Sequence, residues 1–359
     1  MNLFCNVFDL PYLCIIYPII IPMRKFTLSY YLTIVLLLGV ALQPTCAKRP
    51  RQERPKVGLV LGGGGAKGAA EVGALKYIEQ AGIPIDFIAG TSIGSIVGGL
   101  YACGYRSEQL DSMFRSQEWS TLLTDRNLDF SNKPIKKKDG TTYFFGYPIY
   151  HKTNKMKSAI GLVQGEKILQ LLDSMTNRPD SISFDSLPIP FRCVATDYIN
   201  RRKVVLKSGH LAKSMRASMA IPGAYKPVEI DGVELLDGGL VDNLPVDVVL
   251  DMGADIVIAI DLTQNKHEGE KEWKRQRRGT KYEESESLWG QLMRWVKQRP
   301  DLSQYEENLK YIDVYINPDL KGFSAASFST KKVAEMIKRG EEAGAKALKK
   351  LKEIKKKVE

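Results

Sequence analysis

The chain has 359 residues, 44% of them hydrophobic and 26% charged, which places it among globular proteins that can bury a core. Its net charge of +11 raises the question of a nucleic-acid partner. The basic residues, however, gather in late segments without the aromatic residues that accompany them in nucleic-acid-binding modules. We therefore expect no nucleic-acid partner, and attraction to an anionic membrane surface explains the charge at least as well.

Residues 1–47 are typical of a bacterial export signal. Two basic residues precede an apolar run, and small residues around Cys46 and Ala47 suit cleavage by a signal peptidase. We expect cleavage after Ala47 and an exported protein that is periplasmic, associated with the outer membrane or secreted. Two points stay open. Cys46 also permits a lipoprotein, and the true start of the chain is either Met1 or Met23.

Two strand-turn-helix units follow, and each of their turns has unusual chemistry. The apolar run Val57–Leu61 predicts a buried strand that leads through four glycines into a helix over 66–81. A second short strand, over 85–89, leads through Gly90-Thr91-Ser92-Ile93-Gly94 into a helix over 95–102. At one end of a parallel sheet, two such turns bring two sets of backbone amides and one serine hydroxyl together. These are the components of an acyl-transfer site.

The next part of the chain alternates predicted strands and helices. Its patterns predict helices over 165–175, 210–219 and 245–252, an aromatic edge strand over 141–150, and strands over 191–196, 203–206, 228–230, 233–236 and 254–262. Asp231-Gly232, between two of these strands, supplies the positive φ of a two-residue hairpin turn. The most apolar strand, over 254–262, is expected to be central in the sheet.

The composition then changes. We divide the chain into the leader, a core over 48–262, a charged insertion over 263–308, and a final strand and basic helix over 309–359. In the insertion, Trp289 and Trp295 share one helical face, which suits either a lid in the lipid interface or a flexible surface insertion. We expect the apolar stripe of the basic helix to pack on the body of the protein, with its lysines in solvent.

The first glycine turn has three possible uses. Gly63, Gly65 and Gly68 fit the G-x-G-x-x-G pattern of dinucleotide-binding proteins, but the second strand lacks the acidic residue that would hold a ribose. A phosphate loop is excluded because Ala66 and Gly68 flank Lys67 where the pattern requires glycine and a hydroxyl residue. Amides at a helix N-terminus suit an anion or a developing oxyanion instead. Alternatively, the glycines only allow close packing and Lys67 is an ordinary solvated residue.

Ser92 lies in a G-x-S-x-G pattern, flanked by Gly90 and Gly94, between a strand and a helix. This is the pattern of a nucleophile elbow, in which the glycines permit a sharp turn that exposes the serine hydroxyl. Alternatively, Ser92 is only the N-cap of the helix. The chain has three histidines, and none of them ends a strand as a Ser-His-Asp triad demands, so a triad is not expected.

Asp237 is the better candidate for a base. It ends the hairpin strand and precedes Gly238 and Gly239, which permit the backbone to come close to a neighbouring loop. Because the reference pKa of aspartate is about 3.9, burial must raise it or geometry must compensate. Taken alone, Asp-Gly-Gly is also a common turn.

Taken together and in this order, the glycine turn, G-x-S-x-G and D-G-G resemble the patatin-like phospholipase family. Two further blocks, 215–223 and 240–246, look like family sequences, and the resemblance covers residues 56–262. It implies Ser92 as the nucleophile and Asp237 as the sole general base. It also implies that the amides of Gly63, Gly64 and Gly65 form the oxyanion hole. The supporting motif positions that it implies are Lys67, Gly68, Gly90, Gly94, Gly238 and Gly239.

The resemblance also implies an α/β fold, a three-layer α/β/α sandwich with a mainly parallel central sheet. The implied activity is hydrolysis of lipid acyl esters through an acyl-serine intermediate, of the phospholipase A or lysophospholipase type, without a metal or organic cofactor. The expected partner is a membrane phospholipid or lysophospholipid, and the oligomeric state is left open. We expect a member without the C-terminal membrane barrel of some exported relatives. The alternative is a non-catalytic lipid-binding or effector protein on the same fold.

Overall fold

The computed structural model describes residues 54–125, 163–263 and 301–359, together with the short pieces 135–136, 142–143, 291–292 and 295–296. The predicted export signal, most of the charged insertion and most of the predicted edge strand over 141–150 lie outside the described residues. None of the helices in the described ranges combines the length and the hydropathy that crossing a lipid bilayer requires.

Within these ranges, eight strands form one sheet. They are β1 Val57–Leu61, β2 Phe87–Thr91, β3 Phe191–Asp197, β4 Arg202–Leu206, β5 Val228–Ile230, β6 Val233–Asp237, β7 Ile256–Ile260 and β8 Val314–Ile316. The order across the sheet is β8-β7-β1-β2-β3-β6-β5, and β4 also pairs with β3. Neighbours from β8 to β3 are parallel, whereas the pairs of β3 with β6 and β4, and of β6 with β5, are antiparallel. The expected mainly parallel sheet is confirmed.

The described helices alternate with these strands along most of the chain. They are α1 Ala69–Ala81, α2 Ile93–Ala102, α3 Ser107–Ser116, α4 Trp119–Thr124, α5 Glu166–Thr176, α6 Leu211–Ser218, α7 Val246–Asp251, α8 Asp301–Asn308 and α9 Thr330–Val358. Short 3-10 turns occupy Gly65–Gly68, Phe184–Ser186, Gly238–Leu240 and Leu309–Tyr311.

Helices cover both faces of the sheet. The side chains of β1 alternate between two cores, with Leu59 and Leu61 in the larger one and Val60 in the smaller one. The larger core contains residues of α1, α2 and α9, and the smaller one contains residues of α7 together with Tyr305 of α8. Because helices close each core, the fold is the expected three-layer α/β/α sandwich.

Two expectations about strands have different outcomes. The hairpin turn between β5 and β6 is confirmed, since Asp231 and Gly232 have φ values of 51° and 76°. The prediction that the most apolar strand is central was wrong, because β7 lies next to the edge strand β8. It is apolar throughout because strands pair on both of its edges and both of its faces are covered.

The C-terminal helix α9 packs closely against α1. A Cβ at Gly340 would overlap the carbonyl oxygen of Ala70, and a Cβ at Gly73 would overlap that of Ile337, so two glycines let the helix backbones approach each other. The buried residues of α9 are Val333, Met336, Ile337, Gly340, Gly344, Leu351, Ile354 and Val358. The apolar stripe of this helix therefore packs on the body, and most of its lysines are exposed.

Glu71 is an unpaired acid in the core. It lies in the first turn of α1, it is fully buried, and neither of its carboxyl oxygens has a hydrogen-bond partner among the described residues. Burial, and to a smaller extent the charge of Asp261, raises the pKa of Glu71 well above its ordinary value of 4.5, and the nearby backbone amide of Gly62 opposes this rise only in part. Because an unpaired charge is very unfavourable in an apolar interior, folding favours the protonated form of this carboxyl group.

We expect Glu71→Gln to stabilise the protein increasingly as the pH rises. The folded-state pKa lies above the unfolded one, so the wild type loses up to about 1.4 kcal/mol of unfolding free energy per pH unit between the two values. Glutamine has no proton to lose and escapes this penalty. Urea unfolding across this pH range measures the gap between the two proteins. Glu342→Gln, at an exposed position of α9, is the control, and a gap independent of pH would contradict the assignment.

Candidate active site

Ser92 lies on a strained turn between β2 and α2. Its φ of 55° and ψ of −124° are unusual for a residue with a side chain, and they are the backbone strain expected of a nucleophile elbow. A Cβ at Gly90 would overlap the carbonyl oxygen of Gly94, and a Cβ at Gly94 would overlap that of Leu61. The elbow therefore requires glycine at both flanking positions.

The strained backbone of Ser92 is held by two neighbouring serines. The Ser92 amide donates a hydrogen bond to Ser218 Oγ at 2.8 Å, and Ser218 Oγ in turn donates to the carbonyl oxygen of Val194 at 2.5 Å. The hydroxyl of Ser95 donates to the carbonyl oxygen of Ser92 at 2.6 Å. Ser92 makes no side-chain capping bond to α2, so the alternative reading of this serine as an ordinary N-cap was wrong.

The hydroxyl of Ser92 points at Asp237 instead. Ser92 Oγ donates to Asp237 Oδ2 at 2.7 Å, and the amide of Gly239 donates to Asp237 Oδ1 at 2.7 Å. Asp237 is 6% exposed. Burial raises the pKa of Asp237 to about 6, against the opposing effect of the hydrogen bonds from Ser92 and Gly239. The site thus contains a serine hydroxyl in contact with a carboxylate that is more basic than a free aspartate.

Close backbone packing brings Asp237 to this place. A Cβ at Gly238 would overlap the carbonyl oxygen of Val194 on the neighbouring strand β3. Thr196 Oγ1 donates to the carbonyl oxygen of Asp237 at 2.8 Å, and the Asp237 amide donates to that of Ala220 at 3.0 Å. Both backbone groups of the aspartate are therefore fixed.

The first glycine turn lies beside these two residues, with Gly63 facing Ser92. Its three candidate oxyanion donors differ, because the Gly63 amide already donates to the carbonyl oxygen of Asn243 at 3.0 Å. The amides of Gly64 and Gly65 donate to no other described residue, and they lie at the start of the 3-10 turn Gly65–Gly68. In this conformation Gly63 is a structural position of the turn, and two amides stay available for an oxyanion.

Two other motif positions serve the packing of this turn. A Cβ at Gly68 would overlap the side chain of Ile93, the residue that follows Ser92. Gly68 thus fits the alternative of a glycine that allows close packing. Lys67 is half-buried within the same turn.

An apolar pocket opens next to Ser92. It is lined almost entirely by apolar side chains. Trp119 forms part of its wall and is fixed by a hydrogen bond from its indole N–H to the carbonyl oxygen of Phe114 at 2.8 Å. Phe328, in the loop before α9, contacts this tryptophan with a distance of 5.6 Å between ring centroids. The pocket is therefore suited to a hydrocarbon chain.

Sequence reasoning missed several residues of this site. Ser218 and Asn243 lie in the blocks 215–223 and 240–246, which carried family resemblance but no individual roles. Trp119 and Phe328 gave no sequence signal, because single aromatic residues in helices and loops are common. Among the three histidines, His210 accepts a hydrogen bond from the Lys213 amide at the start of α6, and the other two lie outside the described residues.

Comparison with known proteins identifies the family of the chain. Residues 59–250 match the family model described as patatin-like phospholipase, which covers more than half of the chain. The chain therefore belongs to the patatin-like phospholipase family.

Several known proteins are similar to part of this chain. An uncharacterized NTE family protein of Mycobacterium tuberculosis is 35% identical over 208 residues, 58% of this chain and 49% of the relative. Lysophospholipase NTE1 of Mycosarcoma maydis is 34% identical over 206 residues, 57% of this chain and 10% of that protein. Human patatin-like phospholipase domain-containing protein 6 is 32% identical over 270 residues, 71% of this chain and 17% of that protein. The chain thus spans about half the length of these relatives or less.

Among solved structures, VipD from Legionella pneumophila is similar to this chain with a TM-score of 0.45 and 15% sequence identity. The similarity covers 82% of this chain and 67% of VipD.

We expect Gly94→Ala to destabilise the folded protein by about 3 kcal/mol, as overpacking against a backbone atom does. The new Cβ would overlap the carbonyl oxygen of Leu61, which cannot rotate away. Urea unfolding measures the loss. Gly82→Ala is the control: its Cβ would meet only Lys355 Cε at 3.8 Å, and its φ of 68° and ψ of 29° are left-handed helical, which costs about 1 kcal/mol for alanine. Equal losses in the two variants would refute the steric argument.

Proposed function

We propose that this protein is a lipid acyl hydrolase of the phospholipase A or lysophospholipase type, with Ser92 as nucleophile and Asp237 as sole general base. The observation that carries the proposal is the hydrogen bond of 2.7 Å from Ser92 Oγ to Asp237 Oδ2. A nucleophile within hydrogen-bond reach of a base with a raised pKa is the arrangement that nucleophilic catalysis needs. Membership of the patatin-like phospholipase family supports the ester-hydrolysing activity.

In the first step, Ser92 Oγ attacks the carbonyl carbon of the acyl ester while its proton passes to Asp237 Oδ2. The tetrahedral intermediate carries a negative charge on the former carbonyl oxygen. The amides of Gly64 and Gly65 donate to this oxyanion, because they have no other described acceptor. Each such donor typically contributes about 3 kcal/mol to stabilisation of the transition state.

In the second step, the intermediate collapses to an acyl ester of Ser92, and the leaving alkoxide takes the proton from Asp237. The alcohol departs and a water molecule enters. Asp237 removes a proton from this water as it attacks the acyl-serine. Asp237 returns this proton to Ser92 Oγ as the fatty acid leaves. Overall, one ester bond is cleaved and one water molecule is consumed.

The apolar pocket beside Ser92 holds the acyl chain. Its lining contains no charged side chain, so a hydrocarbon enters it without stripping water from an ion. The name of the Mycosarcoma maydis relative, lysophospholipase NTE1, supports a lysophospholipid as the substrate class. A membrane phospholipid is the second substrate of this type.

The protein acts at an anionic membrane surface after export from a bacterial cell. Its net charge of +11 and the exposed lysines of α9 support attraction to anionic lipid headgroups. The pattern of residues 1–47 supports export.

Labelling with a fluorophosphonate tests the nucleophile. We expect the wild type to be labelled at Ser92 and Ser92→Ala to be unlabelled, because the reagent needs an activated hydroxyl. Ser120→Ala, at an exposed serine of α4, is the matched control and is labelled like the wild type. Labelling that survives in Ser92→Ala would remove Ser92 as the nucleophile.

Asp237→Asn is expected to fold but to lose ester hydrolysis by about 10²–10⁴-fold. A wild type that is neither labelled nor active on esters would leave a non-catalytic lipid-binding protein as the alternative.

The pH dependence tests the base. Asp237 accepts a proton only as a carboxylate, and its pKa is raised to about 6. We therefore expect kcat/KM for an uncharged ester to rise with pH, to be half-maximal near that value and to level off above it. Initial rates across buffers of constant ionic strength measure the profile. A profile that is already flat between about pH 4 and pH 8 would exclude Asp237 as the base, since a free aspartate titrates near 3.9.

A further inference from the structure

Asn243 binds both backbone groups of Gly63. The carbonyl oxygen of Asn243 accepts a hydrogen bond from the Gly63 amide at 3.0 Å, and Asn243 Nδ2 donates to the Gly63 carbonyl oxygen at 3.1 Å. Because a carbonyl oxygen only accepts, the side-chain atom that faces it must be the nitrogen. One asparagine thus fixes the peptide groups on both sides of Gly63, directly before the amides of Gly64 and Gly65.

The same side chain also contacts the turn that follows Asp237. A Cβ at Gly63 would overlap Asn243 Oδ1, and a Cβ at Gly239 would lie 2.5 Å from this atom. The amide oxygen therefore fills the space that side chains at both glycine positions would take. On its other side, Gly63 faces Ser92, since a Cβ there would lie 3.2 Å from Ser92 Cβ. Asn243 consequently lies between the glycine turn and the turn after Asp237, and Gly63 separates it from Ser92.

Asn243 is itself held in place through its neighbour in the chain. The carboxylate of Asp242 is buried and pairs with Lys203 Nζ at 3.0 Å and with Asn308 Nδ2 at 3.2 Å. Thr91 Oγ1 donates to the carbonyl oxygen of Asp242 at 2.9 Å, so this segment is also tied to the residue before Ser92. The position of Asn243 is therefore set by the fold and does not depend on a bound lipid.

We propose that Asn243 is the positioning residue of the oxyanion hole. It fixes the peptide groups of Gly63, and thereby aims the amides of Gly64 and Gly65 at the carbonyl oxygen of an ester attacked by Ser92. This role rests on the proposed hydrolase function. Asn243 does not touch the substrate and acts only through the glycine turn.

Kinetics of Asn243→Ala test this role. We expect kcat to fall about 10- to 100-fold with little change in KM, because misplaced donors weaken transition-state binding and leave substrate binding intact. Asn243 Nδ2 also donates to Thr263 Oγ1 at 3.3 Å, so Thr263→Val is the matched control. It removes this second contact and keeps the Gly63 contacts, and we expect its kcat to be unchanged. Equal losses in both variants, or an unchanged kcat in Asn243→Ala, would overturn the proposal.

A thionoester substrate separates positioning from a general loss of folded protein. Oxyanion donors favour oxygen over sulfur, so the wild type is expected to hydrolyse the ester faster than the matching thionoester. Misaligned donors lower the rate on the ester more than the rate on the thionoester, and the ratio of the two rates shrinks in Asn243→Ala. An unchanged ratio with both rates reduced would show a structural role only and would refute positioning. Asn243→Asp, which keeps the shape but loses the donor to Gly63, is judged by the same ratio if Asn243→Ala does not fold.

Amide hydrogen exchange tests the contact without any turnover. We expect faster exchange in a peptide that covers residues 60–66 for Asn243→Ala, and exchange at the wild-type rate for Thr263→Val. Unchanged exchange in Asn243→Ala would overturn the proposal. If the wild type hydrolyses no ester in a Ser92-dependent way, the proposed function fails on its own, and the exchange result still decides whether Asn243 holds the turn.

Discussion

The site depends on one hydrogen bond, from Ser92 Oγ to Asp237 Oδ2 at 2.7 Å. The donor residue and the acceptor residue of this bond are positioned by different interactions. Ser92 is held at positive φ by glycines on both sides and by a hydrogen bond from its amide to Ser218. Asp237 is buried, which raises its pKa, while the hydroxyl of Ser92 and the amide of Gly239 stabilise its charge and keep the rise moderate. The balance leaves a carboxylate that is ionised near neutral pH and more basic than a free aspartate.

Backbone contacts bring these two residues together. Gly94, Gly90 and Gly238 each lie against a main-chain carbonyl oxygen that a Cβ would overlap. These contacts join the end of β1 to α2, close the elbow on itself and pack the turn after Asp237 on β3. These motif glycines are thus needed because they let two backbone segments approach closely. Only a few of the motif glycines are candidates for binding an oxyanion. The strain at Ser92 persists because these surrounding contacts leave no alternative path for the chain.

Parts of the site come from outside the region that matches the family. The matched residues 59–250 supply Ser92, Asp237 and the glycine turn. The loop before α9 adds Phe328 to the apolar pocket, and the carbonyl oxygen of Ala325 accepts a hydrogen bond from the Ala66 amide at 2.8 Å. Residues in this loop are positioned by α9, which packs on α1 through Gly340 and Gly73. The proposed chemistry therefore uses the region that matches the family model, whereas the pocket beside it includes a loop from the C-terminal part of the chain.

The local features of this protein can be predicted from its amino-acid sequence: the strand before each glycine turn, the elbow around Ser92, the hairpin over Asp231-Gly232 and the family. These follow from periodicity, from glycine at positions that need it and from short motifs, all of which act within a few residues. Tertiary structure decided the rest. The contact between Ser92 and Asp237 joins residues 145 positions apart, the Gly63 amide is taken by Asn243 across the site, and β7 lies beside an edge strand instead of in the centre. Packing between distant segments decides which backbone amide stays available, how far the pKa of a buried group rises and which side chains line a pocket. No local sequence pattern carries that information.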